Sequence, residues 1–491
     1  MGRITKNYIY NSAYQLLTLI TPIITAPYLS RVLGADSLGI YSYVNSSGNV
    51  ITTIALLGIY AYGNRQTAYV RDDGALLNRT FWEIMLLRCI LGAAGTAVYF
   101  IYAGINGGYT FFFIVYYPYL LAQFLDCSWI FVGLEDMKPA VIKNFVTKLV
   151  NVAGIFLFIK KKEDVWIYLL MLAATTFLAN ASVYTQLKRY VGKPAVDRSR
   201  LVGHIKSSVA LFLPQLASVF YLQVDKVMLK WLTGTTNQVS FYDQAEKIVM
   251  IPLSLITVVS TVMMPRIANE FRKGNSDSIE RLLLKAGRFT LLIAMPMAAG
   301  VCLTARQLIP WYLGDEFIPT SSAIMALSPI ILLNALSGLS GKQYFTATDQ
   351  TKILLKSCVA AAAVNVAVNA VLIPLWGFMG AAAATVLSSL LMVVVQYAYL
   401  SKQISVRPLL PVGLKYLLGA ALMTCAAVLP TYRMKASPAT TALQAGIGVA
   451  AYAAFLLITR DGLLNECAGK LRRKLKKTGT KKDGSSPEDE R

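Results

Sequence analysis

Apolar segments recur along the whole chain, and short polar loops separate them. A helix of about 20 residues rises about 1.5 Å per residue and therefore spans the roughly 30 Å hydrocarbon core of a bilayer. The pattern predicts about fourteen transmembrane helices of this length. The predicted spans cover residues 8–31, 40–62, 80–103, 110–133, 139–159, 165–187, 205–232, 239–263, 283–307, 321–346, 352–374, 379–400, 411–430 and 440–459.

Lysine and arginine concentrate in alternate loops, with exceptions at 160–162 and 433–435, whereas loops such as 104–109 and 234–238 contain neither. Basic loops stay in the cytoplasm, so the pattern predicts that both termini are cytoplasmic. The longest polar loop, from 188 to 204, separates two sets of six spans. The predicted domains are a six-helix lobe at 1–190, a second at 200–402, helices 13 and 14 at 408–460, and a basic cytoplasmic tail at 461–491.

The two sets of six spans resemble each other. Gly34 and Gly234 are separated by the same interval as Arg88 and Arg288. Six spans per unit is an even number, so both units have the same orientation, as in transporters built from parallel repeats. The predicted fold is an all-α polytopic membrane protein with two pseudo-symmetric six-helix lobes and two extra C-terminal helices.

Four ionisable residues lie within the first lobe's spans: Arg88, Asp126, Lys143 and Lys148. Inserting each of these side chains into a membrane span costs about 2.5–3.5 kcal/mol, so we expect each to have a structural or functional role. Arg88 and Asp126 are equally far from the turn that joins their spans, so we expect them at the same depth. Their surplus of positive charge favours an anion site, because arginine and lysine bind phosphate oxygens well. The alternative is an Arg88–Asp126 ion pair that only joins two helices; the two lysines, which lack obvious acidic partners, favour the anion site.

A second group lies in the other lobe, with Asp225 and Lys226 on span seven and Glu246 and Lys247 on span eight. Its charges balance, which favours a structural ion-pair network. The alternative is that Asp225 or Glu246 couples transport to a proton or another cation. Because Arg288 is the repeat mate of Arg88, a further hypothesis is that the two arginines grip a diphosphate across a central cleft.

The composition narrows the function classes. Hydrophobic residues make up 56% of the chain and charged residues 15%, and the net charge of +22 lies mostly in loops and tail. This charge fits membrane topology and anionic lipids, so we expect no nucleic acid partner. The six cysteines are scattered, which indicates neither a disulfide frame nor a zinc site. The chain has no phosphate-binding loop, metalloprotease motif or nucleophile elbow, so we expect no metal, no cofactor and no enzymatic activity.

Three stretches of the chain contain residues that are typical of one transporter family. These residues are Pro27, Tyr28, Arg31, Leu33, Gly34, Gly39, Tyr41, Gly58, Tyr62, Gly63, Arg65, Asp126, Trp129, Phe131, Gly133, Glu135, Asp136, Asp225, Lys226, Leu229, Tyr242, Glu246, Lys247, Pro265 and Arg266. The three stretches resemble polysaccharide flippases of the Wzx type, which belong to the multidrug/oligosaccharidyl-lipid/polysaccharide exporter superfamily. The resemblance implies two lobes around a central cationic cavity. It further implies that an undecaprenyl-diphosphate-linked oligosaccharide moves between leaflets by alternating access, and that a coupling cation, either a proton or sodium, is plausible.

We therefore expect a multi-pass flippase of the bacterial cytoplasmic membrane that serves capsule, O-antigen or exopolysaccharide biosynthesis. Its expected partners are a lipid-linked glycan, anionic membrane lipids and other polysaccharide assembly proteins. Substrate contact is expected from Arg88, Lys143, Lys148 and Arg288. A peptidoglycan lipid-precursor flippase and a multidrug/cation antiporter are the alternatives, although an antiporter cavity should favour acidic groups. A membrane glycan polymerase or ligase would need a large outer loop, which this chain lacks.

Overall fold

A computed structural model of the chain describes residues 3–219 and 223–463. These residues form α-helices joined by short turns and contain no β-strand, which confirms the predicted all-α class. The tail from residue 464, including most of the predicted basic segment, lies outside the described residues. The helices are α1 (Arg3–Leu56), α2 (Ile59–Val70), α3 (Gly74–Ile105), α4 (Thr110–Phe124), α5 (Ser128–Gly133), α6 (Lys138–Phe158), α7 (Val165–Leu187), α8 (Leu201–Val219), α9 (Asp225–Thr233), α10 (Asn237–Arg272), α11 (Ser276–Tyr312), α12 (Ile318–Leu327), α13 (Pro329–Ser337), α14 (Thr351–Trp376), α15 (Phe378–Leu400), α16 (Leu409–Thr431) and α17 (Pro438–Ile458).

The predicted spans coincide with these helices, except that residues 220–222 of the span 205–232 lie outside the described residues and the span 321–346 ends in a π-helix at Gly338–Phe345. Within the described residues, nine helical segments are long and apolar enough to cross a membrane, or ten if the pair bent by 42° between Leu327 and Pro329 is one span. The remaining predicted spans fall in α1, in α8 with α9, and in α10, which carry more polar residues. The chain is therefore a polytopic membrane protein whose most polar helices include those that carry much of the candidate site.

Gly34 divides α1 into the first and second predicted spans. Its φ of 74° and ψ of 178° break the helix, and glycine adopts this conformation at far lower cost than other residues. A second break separates α1 from α2, where Leu57 and Gly58 also have positive φ. The predicted span 40–62 therefore ends in a bend rather than in a continuous helix.

The predicted lobes, residues 1–190 and 200–402, share one hydrophobic core at one end of the bundle and have separate cores at the other. The shared core includes Leu33 and Tyr43 from the first lobe and Val239 and Phe317 from the second. It lies at the end that carries the turn at Asn106, which we call the distal end. The opposite end, called the basic end after its loops, has one core of α2, α3, α5 and α7. A separate core there joins α10 and α11 to α16 and α17.

Candidate functional site

Arg88 lies on α3 and is 1% exposed. Its Nε donates to the Phe124 carbonyl oxygen at 3.2 Å, and its Nη2 donates to the Gln123 carbonyl oxygen. Because α4 ends at Phe124, carbonyls of its last turn lack partners within the helix, and a cation there also interacts favourably with the helix dipole. The third guanidinium nitrogen, Nη1, is buried and has no hydrogen-bond partner among the described residues.

Asp126 pairs with Lys143 and not with Arg88. The Lys143 Nζ lies 3.3 Å from Asp126 Oδ1, and it also donates to Ser128 Oγ at 2.6 Å and to Asn180 Oδ1 at 2.8 Å. The Ser128 amide, at the start of α5, donates to the same carboxylate at 3.1 Å. The alternative of an Arg88–Asp126 ion pair is not what forms, and the expectation that Lys143 lacks an acidic partner is wrong, because the break between α4 and α5 engages Asp126 with Ser128 and α6.

The structure does not bring Lys148 and Arg288 to Arg88. Lys148 is half-buried on α6 and makes no ion pair or hydrogen bond with a described residue. Arg288 is exposed on α11 and interacts electrostatically with Tyr416 of α16. Because α16 packs on α11 and the first lobe has no equivalent helix, the repeat mates Arg88 and Arg288 occupy different environments. Their predicted substrate contacts stay predictions.

Arg88 borders a polar cavity of about 280 Å³, which we call the Arg88 cavity. The Thr52 hydroxyl in its wall is also buried without a hydrogen-bond partner among the described residues. Arg88 and Thr52 thus border the cavity, and each keeps one buried polar atom without a hydrogen-bond partner among the described residues. Its lining residues are Asn49, Thr52, Thr53, Leu56, Gly58, Ile59, Tyr60, Arg88, Tyr119, Gln123 and Asp126.

The Arg88 cavity faces the second lobe. Tyr41, Asn49, Thr52 and Leu56 follow one another at intervals that a helix of 3.6 residues per turn brings to one face. Tyr41 identifies that face, because the Lys247 Nζ of the second lobe lies 5.7 Å from the centre of its ring. The cavity thus opens on the side of α1 that looks across the cleft between the lobes.

The second lobe contains a closed network of ion pairs. Lys226 Nζ lies 2.8 Å from both Asp243 Oδ1 and Glu246 Oε2, and Lys247 Nζ lies 2.6 Å from Asp243 Oδ2. Ser42 of the first lobe donates to Asp243 at 2.6 Å. Sequence reasoning missed Asp243, although its spacing to Glu246 and Lys247 along α10 indicates a shared helix face. Asp225, which was predicted to belong to this group, does not join the network.

Asp225 is fully buried at the start of α9 among neutral partners. Tyr242 and Thr385 each donate a hydroxyl to its Oδ2 at 2.7 Å, and the Asn369 amide donates to its Oδ1 at 2.5 Å. The Asn369 Oδ1 and the Asn365 Nδ2 are buried beside it without hydrogen-bond partners among the described residues. The carboxylate therefore lies next to an unpaired acceptor oxygen and has no cationic partner in the described part of the chain.

A pocket of about 340 Å³ separates this network from the first half of α1. Thr18 and Pro22 form its first-lobe wall, while Lys226, Glu246 and Lys247 form the opposite wall. We call it the interlobe pocket. Charged groups of the second lobe thus border the cleft, but Lys226 and Glu246 are paired with each other.

At the distal end the lobes are joined tightly. Glu316 Oε1 accepts a hydrogen bond from the Ala35 amide at 3.0 Å and so caps the second half of α1 from the other lobe. Trp231 donates to the Tyr43 hydroxyl at 3.0 Å. At Gly39, a Cβ would lie 1.9 Å from the Thr236 carbonyl oxygen, so only glycine permits this approach. The cleft is closed at this end.

At the basic end, the start of α8 contacts the first lobe through the single histidine. His204 Nε2 lies 2.9 Å from Glu83 Oε2, and His204 Nδ1 lies 2.7 Å from the Tyr62 hydroxyl. Ser208 donates to the Leu57 carbonyl at 2.6 Å. The sequence analysis considered residue 204 only as the end of the loop 188–204. No pattern in the sequence indicated its partner Glu83, which lies in the other lobe.

Comparisons with known proteins agree on a family and a fold. The profile of the family described as "Polysaccharide biosynthesis protein" matches residues 4–271. The "Putative O-antigen transporter" of Shigella dysenteriae is 22% identical over 60% of this chain and 74% of its own length. The protein of the same name from Escherichia coli K12 is 20% identical over 72% of this chain and 86% of its own length. The "Probable low-salt glycan biosynthesis flippase Agl15" of Haloferax volcanii is 23% identical over 54% of this chain and 55% of its own length.

Solved structures show a similar fold across almost the whole chain. A lipid II flippase MurJ in an inward closed conformation superposes with a TM-score of 0.76 at 16% identity, over 93% of this chain and 99% of that one. An inward-facing MATE family multidrug transporter of the MOP superfamily superposes with a TM-score of 0.61 at 16% identity, over 79% of this chain and 95% of that one. At such identities the likeness shows the fold alone.

Proposed function

Because the chain belongs to the polysaccharide biosynthesis protein family, we propose that it is a flippase for undecaprenyl-diphosphate-linked oligosaccharide repeat units. It moves them across the bacterial cytoplasmic membrane for capsule, O-antigen or exopolysaccharide biosynthesis. The names of its relatives, which are O-antigen transporters and a glycan biosynthesis flippase, support this substrate class. The predicted resemblance to polysaccharide flippases is confirmed at the level of the family.

The single observation that carries the proposal is the buried Arg88 guanidinium, which lies beside a cavity lined by polar side chains and keeps its Nη1 without a hydrogen-bond partner among the described residues. A buried charge with an unsatisfied donor costs several kcal/mol unless a partner offsets it. The cavity faces the cleft between the lobes, where a translocated molecule would pass. A lipid-linked glycan brings both anionic groups and hydroxyls, which are the partners that Arg88 and Thr52 lack.

The two ends of the bundle support alternating access as the mechanism. The lobes share a core and a helix cap at the distal end, whereas their cores are separate at the basic end. Rotation of one lobe against the other would break the Glu316 cap and the Trp231–Tyr43 hydrogen bond at the distal end. We assign the basic end to the cytoplasm, in agreement with the positive loops, so substrate enters there.

Asp225 is the carboxylate that we assign to cation coupling. Carboxylate, amide and hydroxyl oxygens are ligands that small hard cations accept, and Asn369 Oδ1 supplies an acceptor that is otherwise unpaired. A proton on Asp225 would serve equally well, because the surrounding donors are neutral. Glu246, the other predicted candidate, is held by Lys226 at 2.8 Å and is the weaker choice.

A peptidoglycan lipid-precursor flippase is the second candidate, because the fold of such a protein matches 93% of this chain. Both candidates move a polyprenyl diphosphate, so the lipid carrier does not distinguish them. Complementation of mutant strains does, because each strain lacks the export of one glycan. The chain should restore polysaccharide export in a flippase-deficient strain and should not rescue depletion of the peptidoglycan-precursor flippase. Rescue of the depleted strain alone would favour the second candidate.

The direct test is leaflet exchange of a fluorescent polyprenyl-diphosphate oligosaccharide in liposomes. Wild-type protein should expose the probe to an external quencher much faster than empty liposomes do. Each preparation is measured with and without a proton or sodium gradient. Folded protein that exchanges no glycan probe under any of these conditions would contradict the proposed function.

A further inference from the structure

We infer that a pocket at the surface of the distal end binds a sugar of the exported glycan and thereby holds the two lobes closed at that end. This inference rests on the proposed function, which makes the distal end the outer face and a glycan the product. The pocket, which we call the Trp231 pocket, has a volume of about 390 Å³, within the roughly 300–1,000 Å³ of small-molecule sites. Its lining residues are Ile105, Asn106, Gly107, Tyr109, Lys230, Trp231 and Gly234.

The walls of the Trp231 pocket come from both lobes. The turn between α3 and α4 belongs to the first lobe, whereas the end of α9 belongs to the second. Across this boundary Trp231 Nε1 donates to the Tyr102 hydroxyl at 3.0 Å, and the Lys230 Nζ lies 4.7 Å from the centre of the Tyr109 ring. Because these walls separate when the lobes separate, the complete pocket exists only while the distal end is closed.

Trp231 gives the pocket an exposed aromatic surface. Its ring stacks on Tyr102, with centroids 6.0 Å apart, yet the residue is 56% exposed. Its indole N–H points into the protein, to the hydroxyls of Tyr43 and Tyr102. A tryptophan that anchors a helix among lipid headgroups directs this polar edge outward, so the inward orientation favours a binding role. An open ring face of this kind packs well against the C–H face of a sugar.

Polar donors suited to sugar hydroxyls lie beside this ring. Lys230 has three N–H donors, of which one is used on the Gly234 carbonyl at 3.2 Å and another faces the Tyr109 ring, so one remains for a ligand. The Asn106 side chain donates one N–H to a backbone carbonyl of α3 at 2.7 Å and keeps a second. Among the described lining residues Ile105 is the only aliphatic one, which disfavours a lipid chain as the occupant.

A sugar in the Trp231 pocket would act on the opening of the distal end. A ligand that binds only the closed arrangement shifts the population towards it, and by linkage closure strengthens binding of the ligand. Glycan that accumulates outside would therefore oppose the opening that releases the next molecule. The pocket thus provides product feedback on export.

Binding to a locked protein tests the site without transport. Thr236 donates to Asp36 across the lobes at 3.4 Å, so a disulfide between cysteines at these two positions should hold the distal end closed. The probe is the lipid-free repeat-unit oligosaccharide, released by mild acid from the lipid-linked precursor of cells that contain this protein, and calorimetry measures its affinity. In the locked protein Trp231→Ala should weaken binding by about tenfold, because the aromatic surface is lost.

Two further variants keep the test decisive if Trp231→Ala does not fold. Ile105 is 69% exposed, so Ile105→Trp fills the pocket without disturbing the core and should also abolish binding. Trp166→Phe, at an exposed tryptophan at the start of α7 outside the pocket, is the control and should bind like the locked parent. No binding by the locked parent, or unchanged affinity in either folded pocket variant, would overturn the inference.

Leaflet exchange tests the closing role and separates this inference from the proposed function. Oligosaccharide added outside the liposomes should slow exchange by the wild type severalfold and should leave Ile105→Trp unaffected. If the locked protein binds the oligosaccharide at the Trp231 pocket but the wild type exchanges no lipid-linked probe, only the flippase proposal fails. Exchange at the same rate with and without external oligosaccharide would overturn the closing role and leave the flippase proposal intact.

Discussion

The two lobes place charged residues in their membrane spans in opposite ways. In the first lobe, Arg88 borders a polar cavity and keeps one buried nitrogen without a hydrogen-bond partner among the described residues. In the second lobe, Lys226 and Lys247 are both paired with carboxylates, and Asp243 is held by both. The contrast teaches that an internal repeat of sequence does not imply a repeat of function. The first lobe leaves a nitrogen of Arg88 unpaired, whereas the second lobe pairs Lys226 and Lys247 with carboxylates that hold helices together.

The largest expected effect concerns the stability of the second lobe. Lys226→Met leaves Glu246 without its cation and Asp243 with Lys247 alone. Removing one partner of a buried ion pair costs about 3–5 kcal/mol, so the melting temperature should fall strongly. Lys356→Met, which replaces an exposed lysine on α14, is the control and should have little effect. A melting temperature equal to wild type would mean that the network contributes nothing to the fold.

Asp225→Asn should affect coupling and leave the fold intact. Asparagine fits the same space, and it removes a buried negative charge that has only neutral donors around it. Exchange driven by a proton or sodium gradient should fall by about tenfold, to the rate measured without a gradient. The measurement is the ratio of rates with and without the gradient, and an unchanged ratio would exclude Asp225 from coupling.

Glu316→Ala tests the closed distal end. The variant removes a helix cap that joins the lobes, and the loss of a cap costs about 0.5–2 kcal/mol. Because the Ala35 amide loses its partner only in the closed arrangement, the population should shift towards an open distal end. In this variant, spin labels at residues 36 and 315 should report longer distances than in the wild type. If the cap has no role, the distance distributions of the variant and the wild type should be the same.

The smallest effect is expected from Lys148→Gln. Lys148 is half-buried and makes no ion pair with a described residue, so stability should change by less than about 0.5 kcal/mol. If Lys148 contacts the substrate, as the sequence predicts, exchange should slow a few-fold at low ionic strength. Unchanged exchange would leave Arg88 as the first lobe's cation for substrate.

The sequence predicts the helices well because hydrophobicity and length determine them. It predicts the pairing of charges poorly, since equal depth in the membrane does not decide which way a side chain points. Asp126 turns to Lys143 because α4 ends before it, and this break is not visible in the apolar pattern. The sequence could have indicated Asp243 as a member of the ion-pair network, because helix periodicity places it on the same face as Glu246 and Lys247. Arg288 differs from Arg88 because α16 packs on α11, a contact outside the repeat.

Leaflet exchange by Arg88→Gln and Arg288→Gln, measured side by side with melting temperatures, tests the central claim most directly. The account predicts that Arg88→Gln loses most of the exchange of a lipid-linked glycan while remaining folded. It predicts that Arg288→Gln stays close to wild type. Equal loss in both variants would restore the symmetric diphosphate clamp that the repeat suggests and would contradict the division of roles between the lobes.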